Sequence, residues 1–494
     1  MWPDEPGFSL QHLALRSTNI ADWRQTLHKL DAEEFDQQSD AALLERCAGD
    51  AEAALRLYPL LQYEIDRYGL ARIFALAMSV LPILAEMGGR GMCLNRSELE
   101  RRATTESAAL QTLRTALQTQ LSIANLDSHQ QLSQALFKQF HATPLRKTTQ
   151  GYSTDRTSLL WARRQARETQ HQILDQLLTQ LLDYGLRSKL NSTYYTGWLK
   201  DPATDTHIHC LYGLGRTATG RLNSFSHNLQ NIPLIVRECI VPSPGYDCII
   251  ALDYKQLELC LCSHITQDPT MIDWIKRGLD IHTIMACRVL GYDEPQTPEE
   301  FEQFKHEHYL DRQIGKKSNF ATEFGVTAET LAWQIFEEMD GAIWIEPEHV
   351  QPFIDQFFVT FPGCKQHAIW LWQQLVRQEW IVSPFGRRWF LPADEGGWRK
   401  SRNYSIQSAA SDIVLIALYH LYHELRARGW IARPIGEVHD SIVLEGQRKH
   451  LKEIIKIVTR ICEHVDTRAF GFSLAVPLRI DIQQGETWGT LKPI

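Results

Sequence analysis

Asp253 and Asp440 are the residues of this sequence whose type and setting most directly imply chemistry. Asp253 closes the apolar run Cys248-Ile249-Ile250-Ala251-Leu252, a pattern that predicts a fully buried strand leading into Asp-Tyr-Lys-Gln-Leu-Glu. Asp440 lies in Gly436-Glu437-Val438-His439-Asp440-Ser441-Ile442-Val443-Leu444-Glu445, which reads as a tight turn between two short strands. Carboxylates at adjacent strand ends can hold two divalent cations roughly 3.5–4 Å apart, stabilising both the attacking and the leaving oxygen of an in-line phosphoryl displacement. If the two aspartates meet, the chemistry is nucleotidyl transfer.

A second constellation lies between them. Arg312, Lys316, Phe320 and Phe324 recur every four residues, so a helix places them on one slowly winding face. Two cations followed by two aromatics suit a triphosphate lying along the helix, phosphates on the cations and sugar and base on the rings. Taken alone, the spacing is better explained by an amphipathic helix with a solvated basic end and an aromatic core end.

The surrounding elements must bring these groups together. At 494 residues the chain is long enough for several subdomains, and its composition is that of a soluble globular protein. Residues 1–65 are helical in pattern and acidic; amphipathic helices follow to about 136, with a turn at Gly88-Gly89-Arg90-Gly91. Leu159 to Leu186 reads as one long helix, and residues 207–233 as strands and loop. Beyond Asp253 come helices to about Trp380, a long helix Ser401–Arg428, a hairpin Ile435–Glu445, a helix Leu451–Val465 and a closing strand Ala475–Ile482. Gly213-Leu-Gly215-Arg-Thr-Ala218 has no apolar helix after it, which argues against a dinucleotide-binding turn.

Net charge is −8, yet Arg146 to Lys200 is basic, and a phosphate backbone responds to a local stripe rather than to the total. Charge therefore permits nucleic-acid binding without establishing it. Ten cysteines contain no CxxC pair; Cys260 and Cys262, expected on one face of a strand, read as small core residues, and a reduced, cytoplasmic setting follows. The apolar run Ile73–Ala85 is too short to span a bilayer and reads as a buried core helix, and the start Met1-Trp2-Pro3-Asp4-Glu5 has no secretory pattern. No membrane partner is expected.

In order, the motifs resemble the family A DNA polymerases. Asp253-Tyr254-Lys255-Gln256-Leu257-Glu258 is similar to motif A (Asp-Tyr-Ser-Gln-Ile-Glu), and Arg312 to Gly325 to motif B (Arg-x3-Lys-x3-Phe-x3-Tyr-Gly), with Phe324 in the tyrosine's place. His439-Asp440-Ser441 is similar to motif C (His-Asp-Glu). Thr219-Gly-Arg221-Leu, Asn228-Leu-Gln230-Asn231-Ile-Pro233, Asp280-Ile-His282-Thr, Gly386-Arg-Arg-x-x-Leu-Pro392 and Arg399-x3-Asn403-x3-Gln407 extend the resemblance from about residue 65 to the C-terminus.

The resemblance implies an α+β right-hand polymerase with an antiparallel palm sheet and mostly helical fingers and thumb. Residues 66–205 would be palm-edge helices and thumb, 206–265 palm, 266–380 fingers and 381–494 palm. It implies two Mg2+ ions (Mn2+ substituting) on Asp253, Asp440 and the Tyr254 carbonyl, with DNA primer–template and dNTPs as partners. Arg312 and Lys316 would bind phosphates, assisted by His282 and Gln256; Phe320 and Phe324 would face the nucleotide, and Glu258 would exclude a ribose 2′-hydroxyl. Arg221, Asn228, Gln230, Asn231, Arg399, Asn403, Gln407 and His439 would contact DNA. Two departures stand out: Ser441 cannot act as a third carboxylate, and Phe324 offers Glu258 no hydroxyl, so Glu258 is expected to be loosely held.

Residues 1–65 resemble the last third of the family's 3′–5′ exonuclease domain. Asp50 falls on a metal carboxylate of that domain, but Arg46 replaces its tyrosine, and Asp31-Ala-Glu33 lies in a polar helix rather than after a buried strand. Proofreading by this chain alone is not expected; either the fragment is vestigial, or a separate polypeptide completes it. Rival readings are a single-subunit RNA polymerase, which Glu258 argues against, and a catalytically silent DNA-binding replisome component, which the intact Asp253, Asp440, Arg312 and Lys316 argue against.

Overall fold

The computed structural model describes residues 9–23, 39–149 and 151–494; Asp31-Ala32-Glu33 lies outside the described residues. One five-stranded antiparallel sheet organises the molecule. Its strands are β1 (Cys248–Tyr254), β2 (Ala432–Val438), β3 (Ser441–Gly446), β4 (Ile480–Gly485) and β5 (Lys492–Pro493), in the order β2-β3-β1-β4-β5. The principal helices are α1 (Leu10–Ser17), α2 (Asp40–Arg67), α3 (Ala71–Arg90), α4 (Arg96–Leu121), α5 (Arg156–Glu168), α6 (Gln172–Leu190) and α7 (Leu257–Thr266). They continue with α8 (Ile281–Leu290), α9 (Tyr309–Glu323), α10 (Ala328–Glu338), α11 (Pro347–Thr360), α12 (Pro362–Gln378), α13 (Glu395–Ala427) and α14 (Leu451–Glu463).

β1 reads as a continuous apolar run because both of its faces are covered. Cys248, Ile250, Leu252 and Tyr254 enter a core built with α3, α7, α13 and α14. Ile249 points the opposite way, into a second core with Leu99, Trp198, Ile435 and Val443. Alternation therefore puts Asp253 on the Ile249 face, where it alone among β1 residues is exposed. Two further cores lie away from the sheet: one joins Leu117 and Leu121 of α4 to Leu159 of α5 and Leu178 of α6, the other joins Ile314 of α9 to Leu331 of α10 and Phe353 of α11.

Several sequence expectations change. The helix predicted over 159–186 is two, α5 and α6, because Gln170 takes a left-handed φ of 56° between them. α3 runs straight through Gly88 and Gly89 and stops only at Gly91 (φ 72°). Gly88 is a packing glycine: a Cβ there would stand 2.4 Å from the Cys210 carbonyl oxygen. α3 is also longer than the run Ile73–Ala85, reaching 20 residues with a third of its apolar window buried, so by length and composition alone it could cross a membrane. Its inner residues Val80, Ile83, Leu84 and Met87 instead pack into the main core. Cys260 and Cys262 are buried core residues on the helix α7, not on a strand, and all ten cysteines are free. The long helix begins earlier, at Glu395, and the closing strand later, at Ile480.

A buried ion pair fixes the segment around Arg221. Arg387 donates from Nη2 (2.6 Å) and Nε (3.0 Å) to Asp412 Oδ1, and Asp412 on α13 is fully buried. The Arg387 guanidinium lies alongside Gly220, and Ser411 donates to the Gly220 carbonyl (3.4 Å). Asp412→Ala would strand the guanidinium in the interior; the expected cost is about 3–5 kcal/mol, read as a lowered denaturant midpoint. Adding Arg387→Met should recover most of the loss, and a single variant as stable as wild type would contradict this account.

Candidate active site

The two aspartates converge. β3 pairs with β1 so that Ser441 lies opposite Asp253, and the Tyr254 amide donates to the Asp440 carbonyl (3.2 Å). His439 and Asp440 form the two-residue turn between β2 and β3, with His439 at φ 61°. On the other flank Asp481 of β4 also lies opposite Asp253, a neighbour that motif spacing could not have shown. Burial, then the charges of Asp440 and Asp481, push the Asp253 carboxyl up to about 6, with Lys316 opposing. Like charge of this kind, offset in part by Lys316 and by the Lys255–Asp481 ion pair (2.7 Å), favours a bound cation.

Among the described residues, no group of three or more His, Cys, Asp or Glu is placed to hold a metal ion. Two carboxylates and a backbone carbonyl are nonetheless an all-oxygen set of the kind Mg2+ takes, since it keeps waters and substrate phosphates as its remaining ligands.

α9 lies across from this pair. Gly315 allows its close approach to α8, because a Cβ there would stand 2.8 Å from the His282 carbonyl oxygen. Lys316 is exposed and Phe320 half-buried; Phe324 caps the helix one residue beyond its end. Arg312 is braced by the half-buried Asp280, Nε to Oδ2 at 2.8 Å, and this bond leaves the terminal guanidinium nitrogens outside it. Lys316, Phe320, Phe324, Gly325, Arg399 and Asn403 line a cleft of about 490 Å³.

Two expected site residues face inward instead. His282 is 2% exposed, lies 3.2 Å from Asn319 through Nδ1 and packs against the Phe320 ring (5.2 Å). Burial lowers its pKa to about 4, so near neutral pH it supports Phe320 as an uncharged ring rather than binding phosphate as a cation. Gln230 is also buried; it donates to Glu437 Oε2 (2.6 Å) and to the Leu222 carbonyl (3.3 Å), bracing the β2 strand rather than meeting solvent. Burial pushes Glu437 up to about 8.

Glu258, in the first turn of α7, is not loosely held: the Arg221 guanidinium pairs with its carboxylate. Gln256 precedes it at φ 51°, which turns the chain from β1 into α7. Asn228 and Asn231 are exposed, although Asn228 Oδ1 also accepts from Gln230 N (3.2 Å). Along α13, Arg399 is exposed and paired with Glu395 (2.6 Å), while Asn403 and Gln407 are half-buried. Asp50 lies far off in sequence on α2, where its Oδ1 accepts from the Trp23 indole (2.7 Å), so its observed role is structural. Sequence reading also passed over Glu323, a fully enclosed carboxyl behind Phe324 that burial pushes up to about 8.

The arrangement of sheet carboxylates facing a cationic helix is that of a right-hand polymerase. The model of DNA polymerase family A matches residues 96–490, and the chain belongs to that family. It is 29% identical over 467 residues to DNA polymerase I of Geobacillus stearothermophilus, covering 91% of this chain and 49% of that protein. It is 30% identical over 425 residues to DNA polymerase I of Bacillus caldotenax, covering 82% of this chain and 44% of that one. The chain thus spans about half the length of the relatives it matches. The fold is that of the POL domain of Pol1 from M. smegmatis, solved in complex with DNA primer-template and dNTP: the TM-score is 0.79 at 24% identity, covering 99% of this chain and 80% of that one.

Because folding raises the Asp253 pKa to about 6, the folded state holds an extra proton between roughly pH 4 and 6, and stability falls as pH rises through that window. Asp253→Asn removes the penalty. With the side chain partly in solvent, the expected gain is only about 1 kcal/mol at pH 8, vanishing near pH 4, in paired melts of the metal-free protein.

Proposed function

We propose that this protein extends a DNA primer on a DNA template, transferring nucleotides from dNTPs to the primer 3′-hydroxyl. The observation that carries this reading is the convergence of Asp253 and Asp440 at one end of β1 and β3, within electrostatic reach of Lys316. Asp253, Asp440 and the Tyr254 carbonyl would hold two Mg2+ ions, with Mn2+ also suited to such a set. When bound, the metals favour deprotonation of the 3′-hydroxyl and neutralise charge on the leaving pyrophosphate. Lys316 and the braced Arg312 grip the phosphates, and Phe320 supports sugar and base. Glu258, anchored by Arg221, fills the space that a ribose 2′-hydroxyl needs. Arg399, Asn403 and His439 would contact primer or template.

In this reading residues 206–265 and 381–494 are palm, 266–380 fingers and 66–205 thumb with palm-edge helices. The setting is cytoplasmic, which suits ten free thiols. A separate polypeptide completing an exonuclease on residues 1–65 is a further part of the proposal. Exposed Leu55, Tyr58, Phe74, Met78 and Leu81 on α2 and α3 support it as apolar surface available to a partner.

Primer extension on a defined template tests the main reading: wild type should extend, and Asp440→Ala should lose at least about a thousandfold, roughly 4 kcal/mol of transition-state stabilisation. Extension with rNTPs at equal efficiency would instead favour an RNA polymerase. Arg221→Ala should lower the ratio of dNTP to rNTP kcat/KM by about tenfold, since an unanchored Glu258 no longer excludes the 2′-hydroxyl. Phe324→Tyr should raise that ratio by a smaller factor; a ratio untouched by either change would refute the anchoring role.

A further inference from the structure

Away from the carboxylates, α5 meets α10 through an aromatic cluster. The Trp161 ring lies 5.6 Å from Trp333, 6.1 Å from Phe336 and 5.6 Å from Trp344, and Trp333 and Trp344 are 4.6 Å apart. Polar contacts surround the rings. Arg156 Nη2 reaches Asp340 Oδ1 at 2.6 Å, Arg163 donates to the Asp340 carbonyl and lies 3.3 Å from its carboxylate, and the Thr157 hydroxyl donates to Glu337. The backbone is shaped for this contact: Asp340 and Gly341 have φ values of 52° and 72°, and a Cβ on Gly341 would stand 3.0 Å from Leu160 Cβ. Leu160 and Phe336 are fully buried in it.

The two helices belong to different bodies. α5 shares its core with α4 and α6, and that body is rooted on one face of the sheet through Leu99 and Trp198 against Ile249 and Val443. α10 shares its core with α9 and α11; this body is rooted through Ile281 and Met285 of α8 in the core that holds Leu252. Contacts therefore run in a closed circuit, whose two roots lie in the cores on the two faces of the sheet that carries Asp253 and Asp440.

We propose that the Trp161–Trp333–Trp344 contact is a latch that encloses the primer–template duplex and sets how many nucleotides are added per encounter. The inference rests on the polymerase reading above. A duplex held only through its phosphates escapes readily as salt rises, whereas an enclosed duplex leaves only by running off an end or by opening of the latch.

Enclosure can be tested without catalysis. In the full chain carrying Cys47→Ser, Thr157→Cys and Glu337→Cys are introduced, the protein is bound to double-stranded DNA, and the new thiol pair is oxidised with diamide, which takes up the two electrons and two protons released. Crosslinked protein should survive a high-salt wash on circular DNA, slide off linear DNA of the same sequence, and leave the circle on reduction. Equal loss from both forms overturns the latch, and so does failure of the two thiols to join. Independently, Trp161→Ala with Trp344→Ala should keep the first-nucleotide rate within about twofold while shortening products made under a DNA trap at least about fivefold, an effect on dissociation. Unchanged product length overturns the proposal. A wild-type protein that adds no nucleotide sinks the polymerase reading instead, and retention on circles still judges the latch by itself.

Discussion

Register across β3, β1 and β4 is the constraint on which the rest of the structure depends. It fixes Asp253 between Ser441 and Asp481 and sets the β2–β3 turn, with Asp440, against the end of β1. A slip of one residue would turn Asp253 into the core and Leu252 out of it. Apolar side chains on both faces of β1 exact this register, so the hydrophobic cores that stabilise the fold are the same cores that place the carboxylates. The irregularity between Pro434 and Gly436 adjusts the neighbouring strand to the same end, Gly436 leaving room for Met92 where a Cβ would clash.

Around this sheet, the charged groups of the site are held by other charged groups. Asp280 orients Arg312, Arg221 anchors Glu258, and Asp412 holds Arg387 beside Gly220, just ahead of Arg221. Such bracing fixes long side chains before substrate arrives, reducing the ordering entropy lost on binding. In the proposed reaction Lys316, exposed and acting electrostatically on Asp253, would meet the incoming phosphate.

Much of the site was legible because its signals are local: an apolar run ending in Asp253, a hairpin enclosing Asp440, and a four-residue repeat on α9. Inward turning of His282 and Gln230 was not legible, because it depends on Asn319 and Glu437, partners distant in sequence. Motif comparison gave Glu258 no hydroxyl partner at Phe324, yet Arg221 supplies a stronger one from another segment. The break between α5 and α6 was missed because leucines lie at helical spacing before and after it; the left-handed φ of Gln170 and the His171 cap on the Leu174 amide (3.2 Å) separate the two helices. The latch residues are scattered tryptophans in sequence; only packing shows that they meet.

Glu323 carries one more consequence. Its carboxyl, enclosed behind Phe324 with Cys262 and Arg402 as neighbours, keeps its proton near neutrality because burial raises its pKa to about 8. Ionisation on mild alkalinisation would put a negative charge inside the C-terminal turn of α9, opposed by the buried Arg402. Raising the pH past about 8 would then charge this hidden acid in the packing, well below the pH at which a lysine gives up its charge.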